Sequence, residues 1–239
     1  MLYLKLKMQV LKRLKTHNLF TEKYFVANIY PSHCTDSLLL HFNIAMNEQE
    51  IQTSPALDER DIFIRGDNIV LKALSERDVM ESGWYGWFNN PEATEFVQQR
   101  YFPNTLQKQL EFYRSGIANS STKIQLGIVP NGMDRIVGVV SLSGIDFLNR
   151  KAEFGIMIGD NAARGKGYGT EACRLIVQHG FERLSLNKIY LGVHAEHTAA
   201  IRSYEKVGFV QEGRLREDVL INGRYVDTVL MSILARDFV

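Results

Sequence analysis

The stretch ARGKGYGTEA, Ala163–Ala172, sets glycine at three alternate positions, Gly165, Gly167 and Gly169, beside Arg164 and Lys166 and just before a run with helical spacing. A backbone stripped of side chains in this way can turn through positive φ and bring several N–H groups onto one point. A helix starting near Thr170 adds its positive end to that point, and the two cations add charge. The segment predicts an anion site, and a phosphate group is the guest that suits it.

The elements on either side decide which phosphate ligand to expect. NIVLKAL, residues 68–74, reads as a strand, and Ser75–Asp78 has capping-box spacing for a helix. After Asn104 and Thr105, Leu106, Leu110 and Tyr113 recur at helical spacing. KIQLGIVP, a turn at Asn131-Gly132, RIVGVVSLSGID, a turn near Asn149 and KAEFGIMIG read as an antiparallel meander of three strands. The glycine loop follows, then an amphipathic helix from Thr170 to about Leu184 with Ala172, Leu175, Ile176 and Leu184 on one face. KIYLGVHA is a strand, TAAIRSYEKV a helix, and two further strands flank Asn222-Gly223. The expected fold class is α/β, with a mixed, largely antiparallel central sheet flanked by helices.

That order argues against two familiar phosphate binders. GYGTEA, residues 167–172, matches the dinucleotide fingerprint G-x-G-x-x-A, but there the glycines follow a strand directly. Here DNAARGK separates Gly159 from Gly167, and the preceding strands form a meander. The triphosphate P-loop fails because Lys166 is followed by Gly167 rather than Ser or Thr, and position 160 is Asp.

Composition narrows the partners. The chain has 239 residues and a formal net charge of +1, so no global field favours nucleic acid or acidic membranes. Lys5, Lys7, Lys12, Arg13 and Lys15 give the opening a basic character that supports a ribosome or nucleic-acid contact only weakly. No apolar run reaches the roughly 18 residues of a membrane span. The basic opening interleaves charge with leucine, unlike a signal peptide. Cys34 and Cys173 are far apart without metal-ligand spacing, which fits a reducing compartment and makes the cytoplasm the expected location. Residues 1–60 read as an N-terminal extension of unknown role, with a linker around Thr53 to Arg60 where polar residues and Pro55 interrupt periodicity, and residues 61–239 as the functional domain.

Ile69 to Phe238 resembles the GNAT N-acetyltransferases. Their pyrophosphate loop, Q/R-x-x-G-x-G/A, is matched by Arg164-Gly165-Lys166-Gly167-Tyr168-Gly169, and AAIRSYEKVGF, Ala199–Phe209, is similar to their second signature. The wording of WFNNPEATEF, LNRKAEFGIMIG and EGRLREDVLINGRYVDTVLMSIL resembles the subgroup of ribosomal-protein N-terminal, spermidine and amino-sugar acetyltransferases.

The resemblance implies acetyl-CoA as co-substrate, with its pyrophosphate on the loop Arg164–Gly169 and Thr170. It implies that pantetheine pairs with the backbone of Met157, Ile158 and Gly159, leaving the thioester between this strand and KIYLGVHA. Acetyl would pass directly to a primary amine. Glu153, eleven positions before Arg164, stands where histone-modifying members carry a catalytic glutamate, and is the candidate base through a water. An amine of lowered pKa would need no such base. Tyr204 matches the family's helix tyrosine; a phenol with pKa about 10 can protonate the departing thiolate. A backbone N–H near Met157 would meet charge on the carbonyl oxygen.

His197 occupies a position where the family often has a cofactor-contacting Asn. His194 and His197 have no further ligand at zinc spacing, so no metal is expected. Trp87, with Trp84 and Phe88, either walls the acceptor pocket or packs the first helix on the sheet. A peptide or protein α-amine is the favoured acceptor, since its pKa of about 8 leaves more neutral amine than a polyamine has. A polyamine or amino sugar is the alternative, and a non-catalytic acetyl-CoA-binding module is the rival from another class. A homodimer is admitted among the partners.

Overall fold

The structure, a computed structural model, describes residues 57–97 and 101–238. Residues 1–56 lie outside the described residues, and with them Cys34, the basic opening and nearly all of the expected N-terminal extension.

Eight strands form one sheet in the order β1-β2-β3-β4-β5-β6-β8-β7. The strands are β1 Ile62–Arg65, β2 Ile69–Ala73, β3 Ile124–Pro130, β4 Gly138–Asp146, β5 Lys151–Ile158, β6 Lys188–His194, β7 Val210–Ile221 and β8 Arg224–Leu234. The helices are α1 Glu76–Glu81, α2 Trp84–Trp87, α3 Leu106–Tyr113, α4 Tyr168–Glu182 and α5 Thr198–Val207. The expected meander is β3-β4-β5, antiparallel throughout.

Local chemistry sets the helix starts. Both halves of the capping box at Ser75 and Asp78 are formed, and the same Asp78 carboxylate takes the buried Lys72 ammonium at 2.9 and 3.0 Å. Thr105 caps α3 by accepting from the Lys108 N–H at 3.2 Å. The helix expected from Thr170 begins two residues earlier, at Tyr168, because Gly167 at φ 85° takes the turn that lets it start. β1 and the one-turn α2 were not expected. β1 is four residues long, alternately half-buried and exposed, too short a run to stand out in the sequence, and α2 is held by tertiary packing of its two tryptophans.

The sheet buries both faces. Ile69, Leu71, Leu142, Ala152 and Phe154 face α4 and α5, where Ala172, Cys173, Ile176 and Val177 complete one core. Val70, Val129 and Val139 point the other way and meet Val79, Trp84 and Trp87 of α1 and α2 in a second core. β2 is buried on both faces, Ile69 through Lys72, so its alternate side chains supply both cores.

One junction in the sheet differs from the rest. β5 and β6 run parallel and stay in register for three pairs, Lys151 with Lys188, Ala152 with Ile189 and Glu153 with Tyr190. Beyond these, β6 follows β8 from Lys188 to His194, while β5 stays with β4 as far as Ile158. The two strands therefore part, leaving the β6 side of Phe154–Ile158 without a strand partner among the described residues.

Candidate active site

The parted end of β5 leads into the glycine loop. A 3-10 turn at Asn161–Ala163 is capped by Asp160, whose side chain accepts from the Ala162 N–H. Burial alone would raise the Asp160 pKa, but the Arg135 hydrogen bond at 2.7 Å and the Ala162 N–H hold it below its ordinary value. Gly165 and Gly167 follow with φ of 72° and 85°, and Gly167 is the N-cap of α4 without any side-chain cap. The first N–H to reach a carbonyl is that of Glu171, donating to Gly167 at 3.1 Å. The N–H groups of Tyr168, Gly169 and Thr170 are thus directed out of the helix, toward the end of β5 where a Gly169 Cβ would meet Ile158 and Ile156 side chains at 3.7 and 3.8 Å. A free run of N–H groups, a helix N-terminus and the exposed Lys166 suit a pyrophosphate.

Arg164 is used differently from the expectation that it would stand alongside the anion. Its Nε and Nη2 donate to the Ile158 carbonyl at 3.1 and 3.0 Å, and its Nη1 to the Glu92 carbonyl at 3.1 Å. The guanidinium ties the end of β5 to the segment after α2. Asn161 donates to the Glu92 carboxylate from the other side. Glu92 escapes a sequence reading because the group Arg164 uses is a backbone carbonyl.

Met157 and Ile158 end β5 at its splayed edge, and Gly159 follows them. Gly159 is in close contact with Trp87: a Cβ there would lie inside the indole ring. Trp87 is 8 % exposed and belongs to the second core. Of the two readings of Trp87, the structure places it in packing.

Tyr204 lies on α5 against Phe154, ring centroids 5.7 Å apart and nearly perpendicular, with Phe209 on its other side at 6.0 Å. Burial raises its phenol pKa well above the ordinary value, with Cys173 adding to the shift, so the group stays protonated. Next to it, Ser203 shares a 2.6 Å hydrogen bond with Thr170 in the first turn of α4. Tyr204 is thereby fastened to the helix that offers the anion site.

Glu153 is exposed and sits opposite Ser143 on β4 and Tyr190 on β6, at the last pair before the strands part. Strand alternation turns it to the face opposite Phe154, and hence opposite Tyr204. The structure brings Met157, Ile158, Gly159, the glycine loop and Thr170 together at one end of the cleft, and sets Glu153 and Tyr204 on its two faces.

His197 caps the start of α5 and is stacked on Phe96, centroids 4.2 Å apart and 14° from parallel. Burial lowers its pKa, and Glu95 pulls in the opposite direction. No group of three or more His, Cys, Asp or Glu able to hold a metal occurs among the described residues. A cavity of about 470 Å³ opens beside this end of the cleft, lined by Phe88, Thr94, Glu95, Tyr101, Phe102 and the hairpin-tip Asn222 among others. Sequence reasoning missed it because its walls come from three separate segments.

Known proteins are similar to this chain in sequence and in fold. The chain is 39% identical to the spermidine N(1)-acetyltransferase of Vibrio cholerae over 107 residues, which is 45% of this chain and 61% of that enzyme, less than two thirds of its length. It is 28% identical to the candidate ribosomal N-acetyltransferase YdaF of Bacillus subtilis over 155 residues, 65% of this chain and 78% of that one. The crystal structure of the Vibrio cholerae spermidine N-acetyltransferase in complex with CoA and spermine superposes with a TM-score of 0.65 at 29% identity, covering 72% of this chain and 98% of that one. Residues 68–210, more than half of the chain, match the acetyltransferase (GNAT) domain family, whose co-substrate is acetyl-CoA, and the chain belongs to that family.

Proposed function

We propose that the protein transfers acetyl from acetyl-CoA to a primary amine of an aliphatic polyamine. The observation that carries the reading is the uncapped, glycine-flanked start of α4 placed where β5 and β6 part. Acetyl-CoA supplies an electrophilic thioester carbonyl. Tyr168, Gly169 and Thr170 hold its pyrophosphate through backbone N–H groups, and Met157 to Gly159 hold its pantetheine arm.

The residues divide the proton work. The incoming ammonium loses one proton toward Glu153 through a water, which frees the nitrogen lone pair to form the C–N bond. As the C–S bond breaks, the electron pair goes to sulfur, and the Tyr204 phenol donates a proton there. The second proton leaves the new amide nitrogen and restores the Tyr204 phenol by way of solvent, while Glu153 gives up the proton it took to solvent. The sum is an amide, the free thiol of CoA and one proton released. Burial of Tyr204 supports its half of this assignment, since a phenol held protonated is an acid at every working pH.

The acceptor preference departs from the peptide α-amine expected from amine pKa values alone. It is supported by the likeness to enzymes named for spermidine. A peptide or ribosomal-protein N-terminus is the second reading, supported by the likeness to YdaF. A cytoplasmic setting belongs to the same proposal, supported by the buried free thiol of Cys173, and a homodimer is carried as an open partner to be weighed by sedimentation.

Release of free CoA with spermidine, an amino sugar and a peptide at matched concentration, with mass spectrometry to locate the acetyl group, tests the reading. Rapid acetylation of spermidine is expected. Transfer to the peptide alone would replace the polyamine, and acetyl-CoA binding without CoA release from any amine would leave a binding module.

A further inference from the structure

The first turn of α4 carries an acidic side chain, Glu171, on the helix whose start offers its N–H groups to a pyrophosphate. A carboxylate there favours the helix and opposes the ligand, because both anions answer to the same positive end. Helical side chains lean toward the N-terminus, and Glu171 shares a face with Gly167 and Tyr168, about 4.5 to 6 Å back along the axis. A glutamate arm covers that distance unless it is held elsewhere.

The β1–β2 turn holds it elsewhere. Asn68 donates to both carboxylate oxygens of Glu171, its backbone N–H to Oε1 at 2.9 Å and its side-chain amide to Oε2 at 3.0 Å. Gly66 leaves the space this needs, since a Cβ at that position would collide with Oε1 of Glu171 and with the Leu175 side chain. The turn is itself fixed from behind. The Asn131 N–H donates to the Asn68 carbonyl at 2.9 Å, and the Asn131 amide to the Asp67 carbonyl at 2.8 Å. The β1–β2 turn, the residue after β3 and the first turn of α4 are thus tied together, and the tie to α4 runs through the carboxylate that shares the helix start with the ligand.

We propose that Asn68 is a positioning residue for acetyl-CoA: by engaging both oxygens of Glu171 it holds that carboxylate off the start of α4 and leaves the N–H groups of Tyr168, Gly169 and Thr170 to the pyrophosphate. The inference rests on the placement of the pyrophosphate given above, and it holds whichever amine is the acceptor.

Isothermal titration of the full chain with acetyl-CoA reads the effect. Asn68 is exposed, so its substitution leaves the core intact. Asn68→Ala is expected to raise the acetyl-CoA Kd about fivefold, the size of one charge acting at a helix end. Adding Glu171→Gln to that variant is expected to bring Kd back to within about twofold of the parent, because the released side chain no longer carries charge. A strut that merely supported the helix would not be restored by a second loss. Ionic strength separates the two causes again: at about 1 M, where the screening length is about 3 Å, the ratio of Kd between Asn68→Ala and the parent should fall below about twofold. An Asn68→Ala variant that binds as tightly as the parent, or a defect that Glu171→Gln does not repair, overturns the role of Asn68. Gly167→Ala distinguishes the failure of the underlying placement, since an acetyl-CoA affinity unchanged in that variant as well would mean that the pyrophosphate does not meet the start of α4.

Discussion

Arg164 turns its guanidinium back onto Ile158, donating twice to that one carbonyl oxygen at 3.1 and 3.0 Å while a third N–H holds Glu92. The first residue of the glycine signature is in this way a clamp on the strand that leads into it. A forked, planar donor is needed for two bonds to one oxygen, and a lysine ammonium cannot reproduce it together with the third bond.

Substitution separates a clamp from a phosphate contact. Arg164→Lys preserves the charge and Arg164→Ala removes it. If the clamp positions the cofactor strand, both raise the acetyl-CoA Kd by about tenfold, within a factor of three of each other, and both lower stability by about 1–3 kcal/mol. Isothermal titration and denaturant unfolding read the two effects. A lysine variant that binds as tightly as the parent would mean that charge, not geometry, is what Arg164 supplies.

Gly167 has room for a side chain but not the backbone freedom for one. Nothing lies within 4 Å of where its Cβ would be, yet φ is 85°. Gly167→Ala should cost about 1 kcal/mol of stability from the left-handed backbone alone. Its effect on acetyl-CoA should be far larger, at least a hundredfold in Kd, because the methyl group enters the space where phosphate meets the N–H groups. Stability and affinity falling together by the same small amount would show that no ligand approaches there.

Trp87 and Gly159 form a pair whose coupling can be measured. Gly159→Ala drives a methyl group into the indole and should destabilise the protein by about 2–3 kcal/mol. Trp87→Ala empties a buried site and should cost about 3–5 kcal/mol. The double variant should be less damaged than the sum, because alanine at 87 leaves room for the methyl group. Additive losses in urea unfolding would indicate that the two do not share one contact.

The sequence made the scaffold legible where a side chain states its own role. The capping box at Ser75 and Asp78, the apolar runs of β3 to β5 bounded by turn residues and the glycines before α4 each carry a local cause that survives folding. Strand β1 was invisible because its burial is partial, and α2 because only tertiary packing around Trp84 and Trp87 keeps one turn together. The glycine loop was readable as an anion site, but Arg164 was not readable as a clamp, since its partners are the carbonyls of Ile158 and Glu92, which any residues could offer. Glu95 and its cavity were hidden for a related reason: Phe88, Tyr101 and Asn222 meet only once three separated segments have folded. Tyr204 could be singled out by its place in the helix signature. Its environment between Phe154 and Phe209 needed the structure.

That environment sets a kinetic expectation. Tyr204→Phe keeps the ring against Phe154 and removes only the proton donor, so kcat should fall by about a hundredfold while the acetyl-CoA Kd changes less than threefold. Because burial raises the phenol pKa, the parent enzyme should show no loss of kcat from Tyr204 ionisation as pH rises to 10. Stopped-flow release of CoA across pH 7 to 10 checks both. A rate unchanged in the phenylalanine variant would assign sulfur protonation to solvent.

Acid stability should report His197 and His179. Burial is the first cause of a lowered pKa at both, so each is neutral in the folded protein at a pH where the unfolded chain, with an ordinary value near 6.5, already takes up a proton. A depressed folded value means that stability is fully present above pH 6.5 and is lost as pH falls from there through the folded pKa. His197→Asn removes one of the two titrations and keeps a hydrogen-bonding side chain at the start of α5. Thermal unfolding from pH 7.5 down to pH 5 should show the parent losing Tm more steeply than the variant, although the variant begins lower for want of the imidazole stacked on Phe96 at 4.2 Å. Parallel curves would mean that His197 is as easily protonated folded as unfolded, and that the acid limb belongs to His179 beside Phe63.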